Sequence, residues 1–349
     1  ALMEVREINI HIKRNFNKWR KFLEKTGITE FSPKETSQVE RTFVWEDDGE
    51  IMATGSIAGN VLKYIAVCSR VKGHGETFNQ LVSKLVNEAA TMGRFHLFVF
   101  TKPQYVQSFG YVGFHVLAQV ADGAILEAGT PDVHDYIKGL PHFSDQANSR
   151  IAGIVMNANP FTNGHRYLVE RASEENDHVY VFVVSQEVSL FTFAERFQLV
   201  KGGCRDLANV TVVPGDNYMV SYATFPAYFL KDNQDVAHFQ AALDAQLFKQ
   251  QVAQPLHITR RYVGSEPFSK TTDIYNEELT RVLPPDVEVK IVDRASNAAD
   301  DVISATKVRA AIANDELAVV QNYVPHTTLE FIKNNWSELQ TRIKEGSIK

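Results

Sequence analysis

Three stretches of the chain have residue types and spacings suited to phosphate chemistry. The first is Met156-Asn157-Ala158-Asn159-Pro160-Phe161-Thr162-Asn163-Gly164-His165. It follows an apolar, strand-like run and leads into a segment with helical periodicity. A helix start points unpaired N–H groups and a partial positive charge outward, which suits phosphate. Gly164 lets a bulky ligand approach the backbone, and Thr162 and His165, three apart, reach the same anion. An imidazole placed there can donate a hydrogen bond to charge developing on a phosphoryl group. Taken alone, T-x-G-H also fits a surface turn with a capping threonine.

The second stretch is Ile303-Ser304-Ala305-Thr306-Lys307-Val308-Arg309. Ser304 is a natural helix N-cap. Lys307 and Arg309 put positive charge into a first turn where the dipole by itself favours acids, an inversion that makes sense if a polyphosphate docks there. The plain alternative is a capped helix with solvated basic residues. Two anion-seeking helix starts in one domain favour the phosphate reading.

The third stretch, Arg70-Val71-Lys72-Gly73-His74-Gly75, lies between a β-rich run and a long helical segment. Successive backbone N–H groups backed by a helix start form a cradle for a pyrophosphate. The same loop also reads as a glycine-rich strand-to-helix turn. The eleven histidines have no metal-like spacing, so no metal held by protein side chains is predicted. His96, and His74 despite its place in the cradle, read as loop or packing residues, Cys68 as a small buried residue, and Glu174-Glu175 as a solvated helix face.

The elements that must position these residues are of two kinds. The first half reads as mixed α and β: a helix over Lys13–Lys25 stopped by Gly27, strands Glu50–Ala58 and Val61–Val67 joined by a Gly59-Asn60 turn, a helix from Gly75 to Thr91, and a strand Phe95–Thr101. Residues 129–150 form a Gly-, Pro-, Asp- and Ser-containing linker with a short helix. From Ile151 strands and helices alternate. The strands are Ile151–Met156, His178–Ser185, Asn209–Val213, Arg260–Gly264 and Val287–Val292; the helices are Gly164–Glu174, Phe193–Gly202, Val236–Val252 and Thr271–Val282. Such alternation predicts a doubly wound parallel sheet with ligands at the carboxyl ends of its strands. Asp315 to Ile343 reads as helical, with Leu329, Ile332 and Trp336 placed to cover a sheet edge or a partner. The expected domains are therefore 1–128 and 151–349, joined by 129–150.

Composition narrows the function classes. A chain of 349 residues, 44% hydrophobic and 22% charged, fits two folded domains and excludes wholesale disorder. The longest apolar runs, such as Val179–Val184, are strand-sized, so no membrane span is predicted. Charges in ALMEVREINIHIKRN stand where a signal peptide needs an apolar stretch. Two cysteines, Cys68 and Cys204, cannot make a disulfide framework, and reduced thiols in a cytoplasm are expected. The net charge of −6 falls in residues 151–349, and neither half has the basic block a nucleic-acid partner requires.

T-N-G-H and I-S-A-T-x-x-R resemble the two signatures of the nucleotidylyltransferase superfamily, to which HIGH-type class I tRNA synthetases are related. A synthetase is disfavoured, since neither a KMSKS-like run nor a basic block is present. The resemblance implies a Rossmann-like domain in which the α-phosphate of ATP is attacked and pyrophosphate leaves. It assigns Thr162 and His165 to the α- and β-phosphates, and Ser304, Thr306 and Arg309 to the β- and γ-phosphates, with Thr162, His165 and Arg309 catalytic. It extends the ATP site to Met156, Asn157, Pro160, Phe161 and Gly164, and, through Val263-Gly264-Ser265-Glu266, to Gly264 and Glu266 near the adenosine. Phe191-Thr192-x-x-Glu195-Arg196 is similar to the segment that opens the next helix of that superfamily. In the first half, R-x-x-G-x-G resembles the acyl-CoA loop of GNAT-type acetyltransferases, with Tyr105 and Phe109–Phe114 (FGYVGF) similar to later parts of that fold. By this resemblance Arg70, Lys72, Gly73, His74 and Gly75 would seat a CoA-like arm, while a purely structural role for this half stays open.

A GNAT-like half followed by a T-x-G-H half is similar to the citrate lyase ligase family over nearly the whole chain. Gly153–Arg166 (GIVMNANPFTNGHR), Ala223–Lys231 (ATFPAYFLK) and Gly55–Asn60 with the strand after it carry the likeness. That family implies a ligation of acetate, with ATP and phosphate-bound Mg²⁺, onto the thiol of the CoA-like group on the acyl carrier subunit of citrate lyase. Acetylation switches that lyase on. For acetate the residues offer only Asn157 and Asn159 by proximity. The alternatives are an adenylyltransferase acting on a phosphorylated small molecule, for which Lys201 and Lys231 are the candidate phosphate ligands, an N-acetyltransferase that senses nucleotide, and a non-catalytic binding module.

Overall fold

The computed structural model describes residues 3–143, 148–219, 228, 230, 233–265, 270–293 and 303–346. The chain divides into two compact units, Ala1–Tyr136 with Phe225–Leu247, and Ile137–Thr224 with Phe248–Lys349.

The first unit is built on a seven-stranded sheet in the order β1-β2-β3-β4-β5-β7-β6. Its strands are β1 (Glu4–Ile8), β2 (Arg41–Asp47), β3 (Glu50–Ala58), β4 (Val61–Val67), β5 (His96–Thr101), β6 (His115–Val120) and β7 (Gly123–Gly129). The expected Gly59-Asn60 turn joins β3 to β4, with Gly59 at φ +60° where a side chain would strain the backbone. In β4 a bulge sets Tyr64 and Ile65 against the single residue Gly55. A Cβ on Gly55 would come within 2.5 Å of Leu85 Cδ1, so this glycine lets the helix His74–Thr91 lie close on the sheet. That helix buries Phe78, Leu81, Val82, Leu85 and Ala89. Every neighbouring pair is antiparallel except β4 and β5. Those two pair only at Val61–Phe98 and Leu62–Val99, and beyond these positions a cleft is lined by Ile65–Val67 and Val99–Thr101. This is the GNAT-like mixed α/β architecture. Strands β1, β2, β6 and β7 are additions to the sequence expectations.

One expectation needs correction. A boundary near residue 150 assigns everything beyond it to the second half, whereas Phe225–Leu247 groups with the first unit. The predicted Val236–Val252 helix is present as Asn233–Leu247, then widens into a π-helical turn over Phe248–Ala253. The Phe239 ring explains the placement. It fills the space above Gly123, where a Cβ would lie 2.8 Å from its Cε2. Inside the expected linker, Val133–Lys138 is the short helix.

The second unit has a five-stranded, fully parallel sheet in the order β10-β9-β8-β11-β12. The strands are β8 (Ile151–Met156), β9 (His178–Val183), β10 (Val210–Pro214), β11 (Arg260–Gly264) and β12 (Glu288–Val292). Helices Asn163–Glu175, Phe193–Gly203, Lys270–Val282 and Ala305–Ala313 alternate with them. The order is that of a Rossmann-like, doubly wound sheet, whose winding reverses between β8 and β11. Ile154, Phe161, Val181 and Val308 are fully buried in its core. The C-terminal stretch is helical but broken into Leu317–Gln321, His326–Asn334 and Trp336–Lys344, the middle helix starting after Pro325. Trp336 Nε1 donates to Asp315 Oδ1 at 2.8 Å, and Arg342 Nη1 donates to Glu195 Oε1 at 2.6 Å. Among the described residues no helix is long and apolar enough to cross a membrane.

Candidate active site

The reversal of winding leaves a cleft of about 400 Å³ at the carboxyl ends of β8, β11 and β12. Met156 and Asn157 from the end of β8 and Gly264 from the end of β11 line it. Thr162, Gly164 and His165 enter from the Asn163–Glu175 helix, and Ser304, Thr306 and Arg309 from the Ala305–Ala313 helix. Thr162 and Ser304, 142 apart in sequence, therefore share one cavity.

Thr162 caps its helix and is 1% exposed. Its backbone N–H donates to His165 Nδ1 at 3.0 Å, and its Oγ1 lies 2.9 Å from the same nitrogen. The His165 N–H in turn reaches Thr162 Oγ1 at 3.4 Å, completing a capping box. Phe161 is fully buried and stacks on the His165 ring at 5.8 Å with an 18° tilt. Gly203 makes room for that ring, since a Cβ there would meet Phe161 Cε1 at 2.4 Å. Phe161 and the buried Pro160, both expected at the ATP site, are not among the residues that line the cleft.

The second helix start is capped as expected, the Lys307 N–H reaching Ser304 Oγ at 3.4 Å. Arg309 Nη1 donates to the Asn159 carbonyl at 2.7 Å, and Nη2 donates to Thr306 Oγ1 at 3.2 Å. Burial pulls this guanidinium below its usual pKa. Lys307 is not part of the lining; its Nζ sits 6.0 Å from the Tyr323 ring. Glu266 and Lys231 lie outside the described residues, and Lys201, exposed on the Phe193–Gly203 helix, does not line the cleft.

Sequence reasoning placed Arg196 in the segment that opens a helix but gave it no role. It is 0% exposed, and its Nη1 donates to the Asn157 carbonyl at 2.9 Å and to that of Val184 at 2.6 Å. Its Nε donates to the Phe191 carbonyl at 3.1 Å and its Nη2 to that of Gln186 at 2.6 Å. One guanidinium fastens the end of β8, the end of β9 and the loop before the next helix. The T-x-x-E-R spacing was its signal: Thr192 and Glu195 form the second capping box, which sets Arg196 inward. Tyr167, Thr272 and Asp293 are further lining residues that spacing alone does not single out. Glu175, expected on a solvated face, accepts from Tyr262 Oη at 2.6 Å.

In the first unit the Arg70–Gly75 loop is largely exposed and opens the His74–Thr91 helix through Gly73 at φ +70°. Arg70 reaches Glu50 at 3.7 Å, with both side chains 73% exposed. His74 lines the cleft between β4 and β5 together with Tyr105 and Phe109, whereas Arg70, Lys72, Gly73 and Gly75 do not. Cys68 is half-buried and not fully buried as expected. Burial raises its thiol pKa, but hydrogen bonding from Arg70 outweighs that and lowers it. His96 packs against Phe98 at 4.6 Å and meets Glu127 Oε2 at 2.7 Å, in keeping with a packing role.

Comparison with known proteins places this geometry. Residues 151–332 match the family model of the citrate lyase ligase C-terminal domain. The citrate (pro-3S)-lyase ligase of Haemophilus influenzae is 36% identical over 297 residues, covering 83% of this chain and 88% of that protein. The ligase of the same name from Klebsiella pneumoniae is 37% identical over 299 residues, covering 84% and 86%. A phosphopantetheine adenylyltransferase from Actinobacillus pleuropneumoniae is 41% identical over 66 residues, 18% of this chain and 42% of that one. Likeness across both units, at this level and over this length, means that the chain belongs to the citrate lyase ligase family.

Proposed function

We propose that the protein is an ATP-dependent, AMP-forming ligase. It adenylates acetate and passes the acetyl group to the thiol of the CoA-like group on the acyl carrier subunit of citrate lyase, thereby activating the lyase. The supporting observation is the pairing of His165 and Arg309 across one cleft. Arg309 is half-buried and its described partners are neutral oxygens, so it gains most from an anionic ligand.

In the first step a carboxylate oxygen of acetate attacks the α-phosphorus, and the bond to the bridging oxygen of pyrophosphate breaks. The Thr162 N–H occupies His165 Nδ1, so the neutral ring holds its proton on Nε2 and donates it as a hydrogen bond to phosphate oxygen. The N-terminus of the Ala305–Ala313 helix, with Thr306 and Arg309, takes charge passing to the β- and γ-phosphates. In the second step the thiolate attacks the acyl carbon and AMP leaves with the electron pair of the broken C–O bond. Magnesium, held mainly by phosphate oxygens with Asp293 the carboxylate among the described lining residues, would neutralise phosphate charge. Of the two asparagines near the reacting centre, Asn157 is exposed at the cleft, and among the described residues its side chain bonds only the Ser189 hydroxyl. Asn159 is buried, and its Oδ1 accepts from the Phe191 N–H. Asn157 is therefore the better candidate for acetate.

A phosphorylated acceptor is less well served, because Arg309 is the only lysine or arginine among the described residues of the lining. Acetate-dependent exchange of labelled pyrophosphate into ATP tests the reading. Exchange with acetate alone, lost in His165→Ala with the circular dichroism intact, is expected. Exchange that persists in that variant, or that needs a phosphorylated acceptor, overturns it.

A further inference from the structure

Resting on the reading of the Arg70–Gly75 loop as the seat of a CoA-like arm, and on the cleft between β4 and β5 that His74 shares with it, we infer that Tyr228 closes that cleft to acyl thioesters while leaving it open to a free thiol. Tyr228 belongs to the first unit although it comes from the middle of the second half of the sequence. Its ring stacks on Tyr64 at 4.4 Å with a 28° tilt, and it is 7% exposed.

The reason lies in β4. The bulge takes Tyr64 out of the β3 ladder and holds it at φ +55°, a conformation few side-chain-bearing residues adopt. A backbone N–H inside a sheet must find an acceptor. For Tyr64 that acceptor is the Tyr228 hydroxyl, at 3.0 Å. A strand rises about 3.3 Å per residue, so Tyr64 lies roughly 10 Å below Val67 and further still from the Arg70–Gly75 loop. An arm anchored by pyrophosphate at that loop and threaded along β4 brings its sulfur toward Tyr64. There the Tyr64 N–H, a donor that a thioester carbonyl could use, is already taken by the Tyr228 hydroxyl, and the Tyr228 ring, which lines the cleft, fills the space beside it. The remaining cleft, about 70 Å³, suits a thin chain that ends in a thiol. Acyl transfer then has no seat in the first unit, and an arm that has been acetylated no longer fits where the free arm did.

Titration calorimetry of the full chain with CoA and with acetyl-CoA tests this. Wild type is expected to bind CoA at least about tenfold more tightly than acetyl-CoA, and Tyr228→Ala to bring the two within about threefold. Tyr228→Leu, which keeps an apolar side chain in place, serves the same comparison if the alanine variant folds poorly. A tenfold preference that survives in a variant with native near-ultraviolet dichroism overturns the role of Tyr228 and leaves the cleft's reading standing. Wild type that binds neither compound overturns both.

Discussion

The backbone N–H of Thr162 donates to Nδ1 of His165 over 3.0 Å. A backbone amide can only donate, so this contact selects the tautomer with the proton on Nε2. One residue thus caps a helix, orients the ring and fixes which nitrogen carries the hydrogen.

Thr162→Val keeps the shape and removes the hydroxyl. It should lower stability by about 1 kcal/mol through loss of the cap, read as a shift in thermal midpoint. Acetate-dependent exchange should fall about tenfold or more, while Thr162→Ser restores most of both. Full activity in the valine variant would show that the hydroxyl is not needed to place His165.

Gly203 acts on the same ring from behind. A methyl group there would stand 2.4 Å from Phe161 Cε1, and Phe161 carries the His165 ring at 5.8 Å. Gly203→Ala should destabilise the second unit by roughly 1–3 kcal/mol in urea denaturation. It should also lower the rate at saturating ATP more than it raises KM. An alanine variant with wild-type rate would break the link from Gly203 through Phe161 to His165.

Arg196 donates to the carbonyls of Phe191, Asn157, Val184 and Gln186 with no carboxylate bonded to it among the described residues. Arg196→Leu leaves those buried acceptors short of donors and should cost roughly 3 kcal/mol, measured by the denaturation midpoint. Arg196→Lys recovers only part of this, because an ammonium cannot reach in four directions from one plane.

Arg166 grips Asp206 through two hydrogen bonds, of 2.6 and 2.9 Å, and holds its carboxyl at about 2. A carboxyl lowered by folding stabilises fully above its unfolded pKa of about 4, and that contribution fades as pH falls from about 4 to 2. Thermal midpoints of wild type and Asp206→Asn should therefore differ by a constant amount above about pH 5 and converge between pH 4 and 2. A difference that grows on acidification would contradict this ion pair.

The second unit was largely legible because its signals are local. The apolar run Ile151–Met156 becomes β8 with the same bounds, and Thr162 and Ser304 cap the helices they precede. The first unit's edge was harder to read. Four of the five residues of β1, Glu4–Ile8, are exposed, so it lacks the one-sided alternation of a half-buried strand. Arg196 and Lys307 show the limit within a motif. Both are basic residues near the start of a helix; the Thr192–Glu195 capping box and the carbonyls around it hold the first inward, while the second lies over Tyr323. Tyr228 lies 164 residues from the Tyr64 amide that it satisfies, beyond the range of any spacing rule.

The seating of Phe239 over Gly123 has a consequence for how the protein is made. When the first 136 residues have left the ribosome, their sheet still lacks the Asn233–Leu247 helix, which arrives more than a hundred residues later. At roughly 5–20 residues per second, the nascent first unit waits on the order of ten seconds with that face uncovered. A gene cut at the apparent boundary near residue 150 would make the wait permanent, and its product should collect in inclusion bodies. The separable piece is instead one in which residues 225–247 are rejoined to residue 136 through a short linker.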